Sequence, residues 1–228
     1  MALTLHIGNK RYSSWSLRPW LLLKALDIPF TEQLHFLGGD FRQRAQASFS
    51  PTGTVPVLHT ADGIIVTDSL AIVEFIAEDY PAVWPSDRVA RAWARCAAAE
   101  MHSGFSAIRN QCSMNVALRF EPAEPNDALA ANIARIDALW TEGLEKFGGP
   151  WLAGSSFTAV DAFFAPVVSR LQTYAITLSP NAEAYKERML VHPAFVAWVE
   201  EGLKETERLE DHELEAYEGR TLAKDLCA

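Results

Sequence analysis

The chain has 228 residues, of which 49% are hydrophobic and 21% charged, and its formal net charge is −9. This is the composition of a globular protein, and the acidic excess argues against a nucleic-acid partner, because phosphate binding needs clustered Lys and Arg. No apolar run approaches the ~20 residues that cross a bilayer, and no basic stretch precedes a long apolar core as in a signal peptide, so neither a membrane span nor secretion is expected.

Cysteine and histidine usage predicts free thiols and no metal site. The three cysteines, Cys96, Cys112 and Cys227, form no C-x-x-C pair and have no Cys/His metal spacing. An odd number of unpatterned cysteines is typical of a reducing compartment, so we expect a cytoplasmic protein. The histidines are scattered, and none lies four residues from another.

Residues 1–80 are predicted to alternate between strands and helices. The predicted strands cover about 2–7, 30–36, 55–59 and 64–66, and the predicted helices about 14–26, 40–47 and 69–79. Asp62-Gly63 between the last two apolar runs is typical of a β-hairpin turn. The order β-α-β-α-β-β-α predicts an α/β domain with a mixed sheet.

Residues 81–87 are predicted to be a linker, because they contain two prolines, which a helix interior does not accommodate. Residues 88–228 are predicted to form a second, all-helical domain. Its helical patterns cover about 87–114, 124–146, 158–174, 182–190 and 192–208. The last twenty residues are polar and are predicted to form a loose tail.

Two serines, Ser13 and Ser14, lie between the first predicted strand and the first predicted helix. A serine in this position commonly caps the helix, because its side-chain oxygen accepts a backbone N–H that has no partner. The same first turn offers free N–H groups and a partial positive charge, which suit an anion. These residues alone leave both interpretations open.

Three further short motifs are each explained by local structure when taken alone. Val55-Pro56 fits a strand start or a sheet edge, where the missing N–H of proline does no harm. Asp68-Ser69 is typical of a helix cap. Thr158 and Asp161, three residues apart before an apolar helix, form a variant of the capping box.

Together these motifs resemble the cytosolic glutathione S-transferase superfamily over about residues 3–210. The matching stretches are Ser-Pro-Thr-Gly-Thr-Val-Pro-Val-Leu at 50–58, Thr-Asp-Ser-Leu-Ala-Ile-Val-Glu-Phe-Ile at 67–76, Tyr80-Pro81, and Phe-Thr-Ala-Val-Asp at 157–161. The resemblance implies a thioredoxin-like α/β domain at 1–80 that binds glutathione. It also implies an all-α domain at 88–228 that contributes the pocket for an electrophile.

The resemblance implies that Ser13, with Ser14 beside it, contacts the sulfur of glutathione. These two serines are therefore the expected catalytic residues. The Ser-Ser-x-Ser run is most similar to the zeta class, in which cysteine occupies the position of Trp15. Arg42, followed by Gln43 and Arg44, lies where the superfamily usually offers a basic or amide side chain to the glycine carboxylate of glutathione.

The remaining glutathione contacts implied by the resemblance lie at two later positions in the N-terminal domain. The backbone of Val55 corresponds to the group that pairs with the cysteinyl part of glutathione, and Pro56 corresponds to the superfamily's cis proline. Asp68 and Ser69 correspond to the pair that holds the γ-glutamyl end.

A hydrogen bond from Ser13, together with the helix N-terminus, is about strong enough to lower the pKa of the glutathione thiol. A free thiol has a pKa of about 8.5, and lowering it to about 6.5 requires roughly 2.7 kcal/mol. A hydroxyl hydrogen bond to an anion supplies about 1.5–3 kcal/mol, and a helix N-terminus about 0.3–1 kcal/mol. Ser13 would therefore be a hydrogen-bond donor, with glutathione itself as the nucleophile.

Other activities fit the residues less well. Thioredoxin-like disulfide exchange needs cysteines where this chain has Ser13-Ser14-Trp15-Ser16, and a serine hydrolase needs a G-x-S-x-G elbow, which the chain does not contain. A stripe on the helix at 87–114 could border the electrophile pocket, although such stripes more often belong to a core. Its members are Met101, Phe105, Ile108, Arg109 and Cys112.

The sequence thus predicts a homodimeric, cytoplasmic glutathione transferase that attacks a hydrophobic electrophile, with no metal, nucleic-acid or membrane partner. Two alternatives remain. One is a glutathione-dependent cis-trans isomerase of the maleylacetoacetate type, and the other is a non-catalytic glutathione-binding or interaction module. The motifs do not identify the electrophile, because the helical domain that selects it contains few of them.

Overall fold

A four-stranded mixed sheet forms the N-terminal part of the computed structural model, which describes residues 2–228. The strands are β1 (Leu3–Gly8), β2 (Thr31–His35), β3 (Val57–Thr60) and β4 (Ile65–Thr67), and the helices are α1 (Ser14–Ala25), α2 (Phe41–Ser48) and α3 (Ser69–Asp79). The spatial order is β2-β1-β3-β4, with β1 parallel to β2 and antiparallel to β3. The predicted β-α-β-α-β-β-α order is confirmed.

Helix α1 is buried along most of its length, because both domains pack against it. It packs between β1 and α3 of the first domain and two helices of the second, α7 (Ala159–Thr173) and α9 (Pro193–Leu203). The run Trp20 to Leu23 is at most 1% exposed. The loop that precedes α1 therefore lies at the junction of the two domains.

The second domain is built around α7, which is buried along its whole length. The helices are α4 (Arg88–Ser103), α5 (Ser106–Gln111), α6 (Asp127–Phe147), α7 (Ala159–Thr173), α8 (Pro180–Leu190) and α9 (Pro193–Leu203). The single helix predicted over 87–114 is in fact two. The chain turns after Gly104, and Phe105 adopts a left-handed φ of 55°, which ends the helical path.

The predicted capping motif before α7 is confirmed as a structural element. The fully buried carboxylate of Asp161 accepts the backbone N–H of Thr158 at 2.9 Å and that of Leu152 at 3.0 Å, and it also accepts the hydroxyl of Tyr185. Burial raises the pKa of Asp161 to about 6, and these donors oppose the rise. Asp161 thus ties the loop after α6 to the start of the central helix.

The prediction of a loose C-terminal tail without strands is wrong. The chain after α9 forms α10 (Glu210–Tyr217) and β6 (Leu222–Asp225), and β6 pairs antiparallel with β5 (Leu118–Phe120). These strands have three and four residues, and β6 is mostly exposed, so neither produces a recognisable alternation of apolar residues. The helix predicted over 192–208 correspondingly ends at Leu203.

The same residues, 2–228, contain no helix with the length and apolar character that a membrane span requires. Over this range no three His, Cys, Asp or Glu side chains are grouped so that they could hold a metal ion.

Candidate functional site

A cavity of about 840 Å³ opens between the loop after β1 and the helical domain. Residues 12–15 form one wall of it, and Leu37, Phe41 and Val55 extend that side. The opposite wall comes from α5, α7 and α10, and includes Arg109, Arg170 and His212. Both serines singled out in the sequence line this cavity.

The Ser13 hydroxyl is at the N-cap position of α1 but does not cap the helix. It donates instead to the Ser16 hydroxyl, with an oxygen–oxygen distance of 2.7 Å, and the Ser16 oxygen also accepts the Gly8 N–H. Within residues 2–228 the Ser14 hydroxyl has no hydrogen-bond partner. The interpretation of these serines as a cap alone is therefore wrong.

A second, smaller cavity of about 260 Å³ adjoins the first, and the two share Trp15, Thr54 and Val55 among their lining residues. Pro56, Asp68, Ser69 and His102 complete its walls. The Val55–Pro56 peptide bond is cis. The structure thus brings together six predicted site residues from three separate stretches: Ser13, Ser14, Val55, Pro56, Asp68 and Ser69.

Ser69 at the start of α3 has the feature expected of a ligand contact. Its side chain is 1% exposed, and its hydroxyl has no hydrogen-bond partner in the part of the chain that the structure describes. Buried hydroxyls in proteins are normally paired. An unpaired hydroxyl at the positively polarised start of a helix is suited to a carboxylate.

Asp68 does act as a helix cap. One carboxylate oxygen accepts the N–H groups of Leu70 and Ala71, and the other lies 3.3 Å from Nε2 of His102. Burial lowers the pKa of His102, and Asp68 raises it. The prediction that Asp68 caps a helix is confirmed, and its predicted contact with the γ-glutamyl end of glutathione stays a prediction.

Arg42 is exposed on α2, and it is not among the residues that line either cavity. Its side chain packs beside Gly53, whose φ of 70° favours glycine and where an added Cβ would come within 2.7 Å of Arg42 Cγ. Its predicted contact with the glycine carboxylate stays a prediction.

Three arginines lie at the larger cavity or next to it, and of these the sequence had placed only Arg109 on a stripe that could border the electrophile pocket. Arg109 and Arg170 line the larger cavity, and Arg18 lies beneath Trp15, with its guanidinium carbon 4.1 Å from the ring centroid. Arg18 is 1% exposed, and its Nε and Nη1 have no partner in residues 2–228. None of the three forms a salt bridge with a carboxylate in this part of the chain.

The three guanidinium groups raise the electrostatic potential of the cavity. The pKa of Arg18 is lowered to about 9, mainly by burial and also by repulsion from Arg170 and Arg109, whereas Asp68 opposes the change. Burial likewise lowers the pKa of Arg170 to about 10. Arginine side chains are cationic near pH 7, so an anion bound here relieves repulsion between these positive charges.

The predicted stripe on the helix at 87–114 divides between core and cavity. Met101, Ile108 and Cys112 are at most 1% exposed and belong to the core, as such stripes usually do. Arg109 instead faces the cavity. The sequence signal that could have identified Arg109 as a cavity residue is a charged side chain within an otherwise apolar helical pattern. Arg170 on α7 shows the same signal.

Two family models match the chain, and together they cover more than half of it. Residues 12–79 match the glutathione S-transferase N-terminal domain, and residues 123–201 match the glutathione S-transferase C-terminal domain. The chain belongs to the glutathione S-transferase family. The sequence resemblance and the predicted GST-like fold are confirmed.

Individual relatives of this glutathione S-transferase family member are distant. Maleylacetoacetate isomerase from Pseudomonas aeruginosa is 27% identical over 190 residues, which cover 80% of this chain and 89% of the relative. Glutathione S-transferase GstA from Escherichia coli O157:H7 is 26% identical over 170 residues, covering 68% and 77%. A glutathione transferase homolog from Burkholderia gl BGR1, solved with bound glutathione, has the same fold with a TM-score of 0.67, 23% identity and coverage of 89% and 98%.

Proposed function

We propose that this protein binds glutathione across the two adjoining cavities and activates its thiol for attack on an electrophile. The observation that carries the proposal is the position of the Ser13 hydroxyl, which lines the larger cavity and is not used to cap α1. The γ-glutamyl end would occupy the smaller cavity, where the unpartnered Ser69 hydroxyl meets the start of α3. The cysteinyl part would lie along Val55, which borders both cavities.

The proposed site offers three sources of thiolate stabilisation. The Ser13 hydrogen can turn from Ser16 to the sulfur, and the Ser16 hydroxyl can then donate to the Ser13 oxygen over the same 2.7 Å. The positive charges of Arg18, Arg109 and Arg170 favour the thiolate over the thiol. Together with the N-terminus of α1, these groups favour a thiol pKa well below that of free glutathione.

The first test is the ionisation of bound glutathione, followed by the ultraviolet absorbance of the thiolate as a function of pH. We expect the thiol pKa to fall by about two units on binding, which corresponds to roughly 2.7 kcal/mol. Binding with an unshifted thiol pKa would favour the non-catalytic binding module. An absence of binding would contradict both functions.

A second candidate is a glutathione-dependent cis-trans isomerase that acts on a carboxylate substrate. It is favoured by the cationic wall of the larger cavity, in which Arg109 and Arg170 have no acidic partner within residues 2–228. The Pseudomonas aeruginosa relative is named for maleylacetoacetate, which is a carboxylate. In such a reaction the thiolate adds to the double bond, the resulting single bond rotates, and the carbon–sulfur bond breaks to regenerate glutathione.

We also propose that the protein is a cytoplasmic homodimer. Ile65 at the start of the edge strand β4 and Ile64 just before it are 47% and 42% exposed, and Val89 at the start of α4 is 59% exposed. A second copy of the chain would remove these apolar side chains from water. We expect light scattering at micromolar concentration to give twice the chain mass of 25.3 kDa. A monomer mass would contradict the dimer.

A further inference from the structure

The chain beyond α9 contacts the loop that leads into the candidate catalytic serines. This C-terminal segment, residues 204–228, lies outside the part of the chain that matches the family's C-terminal domain, which ends at residue 201. The Glu205 carboxylate accepts the Lys10 N–H at 2.6 Å through one oxygen and the Arg11 N–H at 3.2 Å through the other. One side chain thus holds two successive backbone groups of the loop.

The next loop residue, Tyr12, is held by the same segment. Its hydroxyl donates to Glu213 Oε1 at 2.6 Å and accepts the Leu209 N–H at 3.3 Å. The Glu213 carboxylate is in turn held by Arg208, which also pairs with Asp225 of β6. Pairing of β6 with β5 anchors this arrangement to the helical domain.

The side chains of the loop are also enclosed. Lys10 and Arg11 are each 1% exposed, which is unusual for charged residues. The Lys10 ammonium pairs with Glu32 and Glu201, and the Arg11 guanidinium donates to the carbonyl oxygens of Gly202 and Glu205. Few alternative positions are open to this loop, because moving it would separate several buried polar pairs.

The loop backbone determines where the Ser13 hydroxyl lies. The Ser13 N–H donates to the Asn9 carbonyl at 2.8 Å, and the Tyr12 N–H donates to the same oxygen at 3.1 Å. Residues 9–13 therefore form one hydrogen-bonded turn. The outer N–H groups of this turn, those of Lys10 and Arg11, point to Glu205.

We propose that Glu205 is a positioning residue of the site, which fixes the turn at 9–13 and thereby the donor geometry of Ser13. It does not touch the reacting atoms and acts through the loop backbone. The inference rests on the proposed thiol activation, because only that function gives the position of the Ser13 hydroxyl a catalytic consequence.

The first test needs no glutathione and follows amide hydrogen exchange by mass spectrometry. In Glu205→Ala we expect the amides of residues 10–14 to exchange about tenfold faster or more, because a charge-assisted hydrogen-bond acceptor is removed. The matched control is Glu207→Ala, which removes the same charge from an exposed carboxylate whose hydrogen-bond partner is the neighbouring Thr206 hydroxyl. Unchanged exchange in Glu205→Ala, or equal acceleration in the control, would overturn the inference.

The second test asks whether the turn matters for chemistry. For Glu205→Ala we expect kcat to fall about tenfold, the KM of the electrophile to stay within about twofold, and the bound thiol pKa to rise. Glu205→Gln keeps an acceptor oxygen for one N–H and should be intermediate; it replaces the alanine variant if that variant does not fold. Faster exchange with wild-type kcat and thiol pKa would show that Glu205 is structural only. An unshifted thiol pKa in the wild type would instead refute the proposed function.

Discussion

Replacing Ser13 by alanine is expected to lower kcat by about tenfold to hundredfold while the Kd of glutathione changes by less than about threefold. The missing interaction is a hydroxyl hydrogen bond to an anion, of about 1.5–3 kcal/mol. It forms with the thiolate, so its loss raises the bound thiol pKa. The peptide portion of glutathione would still contact Val55 and Ser69, and binding is therefore largely kept.

The neighbouring serines provide matched controls for this experiment. In Ser16→Ala the Ser13 hydroxyl loses its 2.7 Å partner but can still reach the sulfur, so a smaller loss of kcat is expected. Ser14→Ala removes a hydroxyl that also lines the cavity, and it should retain more activity than Ser13→Ala. A larger loss in Ser14→Ala would transfer the sulfur contact to Ser14. Wild-type turnover in both variants would contradict the site assignment.

Replacing Arg109 by glutamine is expected to distinguish charged from neutral electrophiles. The matched substrates are 4-chloro-3,5-dinitrobenzoate and its methyl ester, which share the reacting carbon and differ in charge. We expect kcat/KM for the acid to fall about tenfold to hundredfold and that for the ester to fall less than about threefold, because a charged hydrogen bond contributes about 1.5–3 kcal/mol. Arg109 suits this test because it is only half-buried, whereas Arg170 is 5% exposed and part of the core.

The control for this variant is Arg135→Gln. Arg135 lies on α6, outside both cavities, and its guanidinium pairs with Glu100. Its loss should leave the preference between acid and ester unchanged, which separates local binding from a change in net charge. An equal fall for acid and ester in Arg109→Gln would argue against a carboxylate site. It would then indicate that Arg109 acts mainly on the glutathione thiolate.

The order of elements in the first domain was predictable because each element has a local cause. Period-two apolar patterns, the turn at Asp62-Gly63 and the cap at Asp68 act over a few residues, and the structure places strands and helices accordingly. The break after Gly104 was missed because the apolar pattern of the helix continues across it. The pairing of β5 with β6 was missed because each strand is too short to have a pattern of its own.

The residues that line the cavities from the N-terminal domain were largely predictable, and those of the opposite wall were not. Ser13, Val55, Pro56, Asp68 and Ser69 lie in short motifs that the family resemblance identifies. The arginines of the opposite wall lie in no motif.

The sequence by itself determined the two-domain order, the resemblance to the glutathione S-transferase family and the identity of the hydroxyl residues near the cavity. Only the tertiary structure decided that Ser13 does not cap α1, that Arg109 and Arg170 line one cavity, and that Glu205 holds the loop before Ser13. The physical reason is the separation along the sequence between the groups that interact. Helix and strand patterns arise from hydrogen bonds and packing between near neighbours, whereas the contact of Glu205 with Lys10 joins groups 195 residues apart and produces no local pattern.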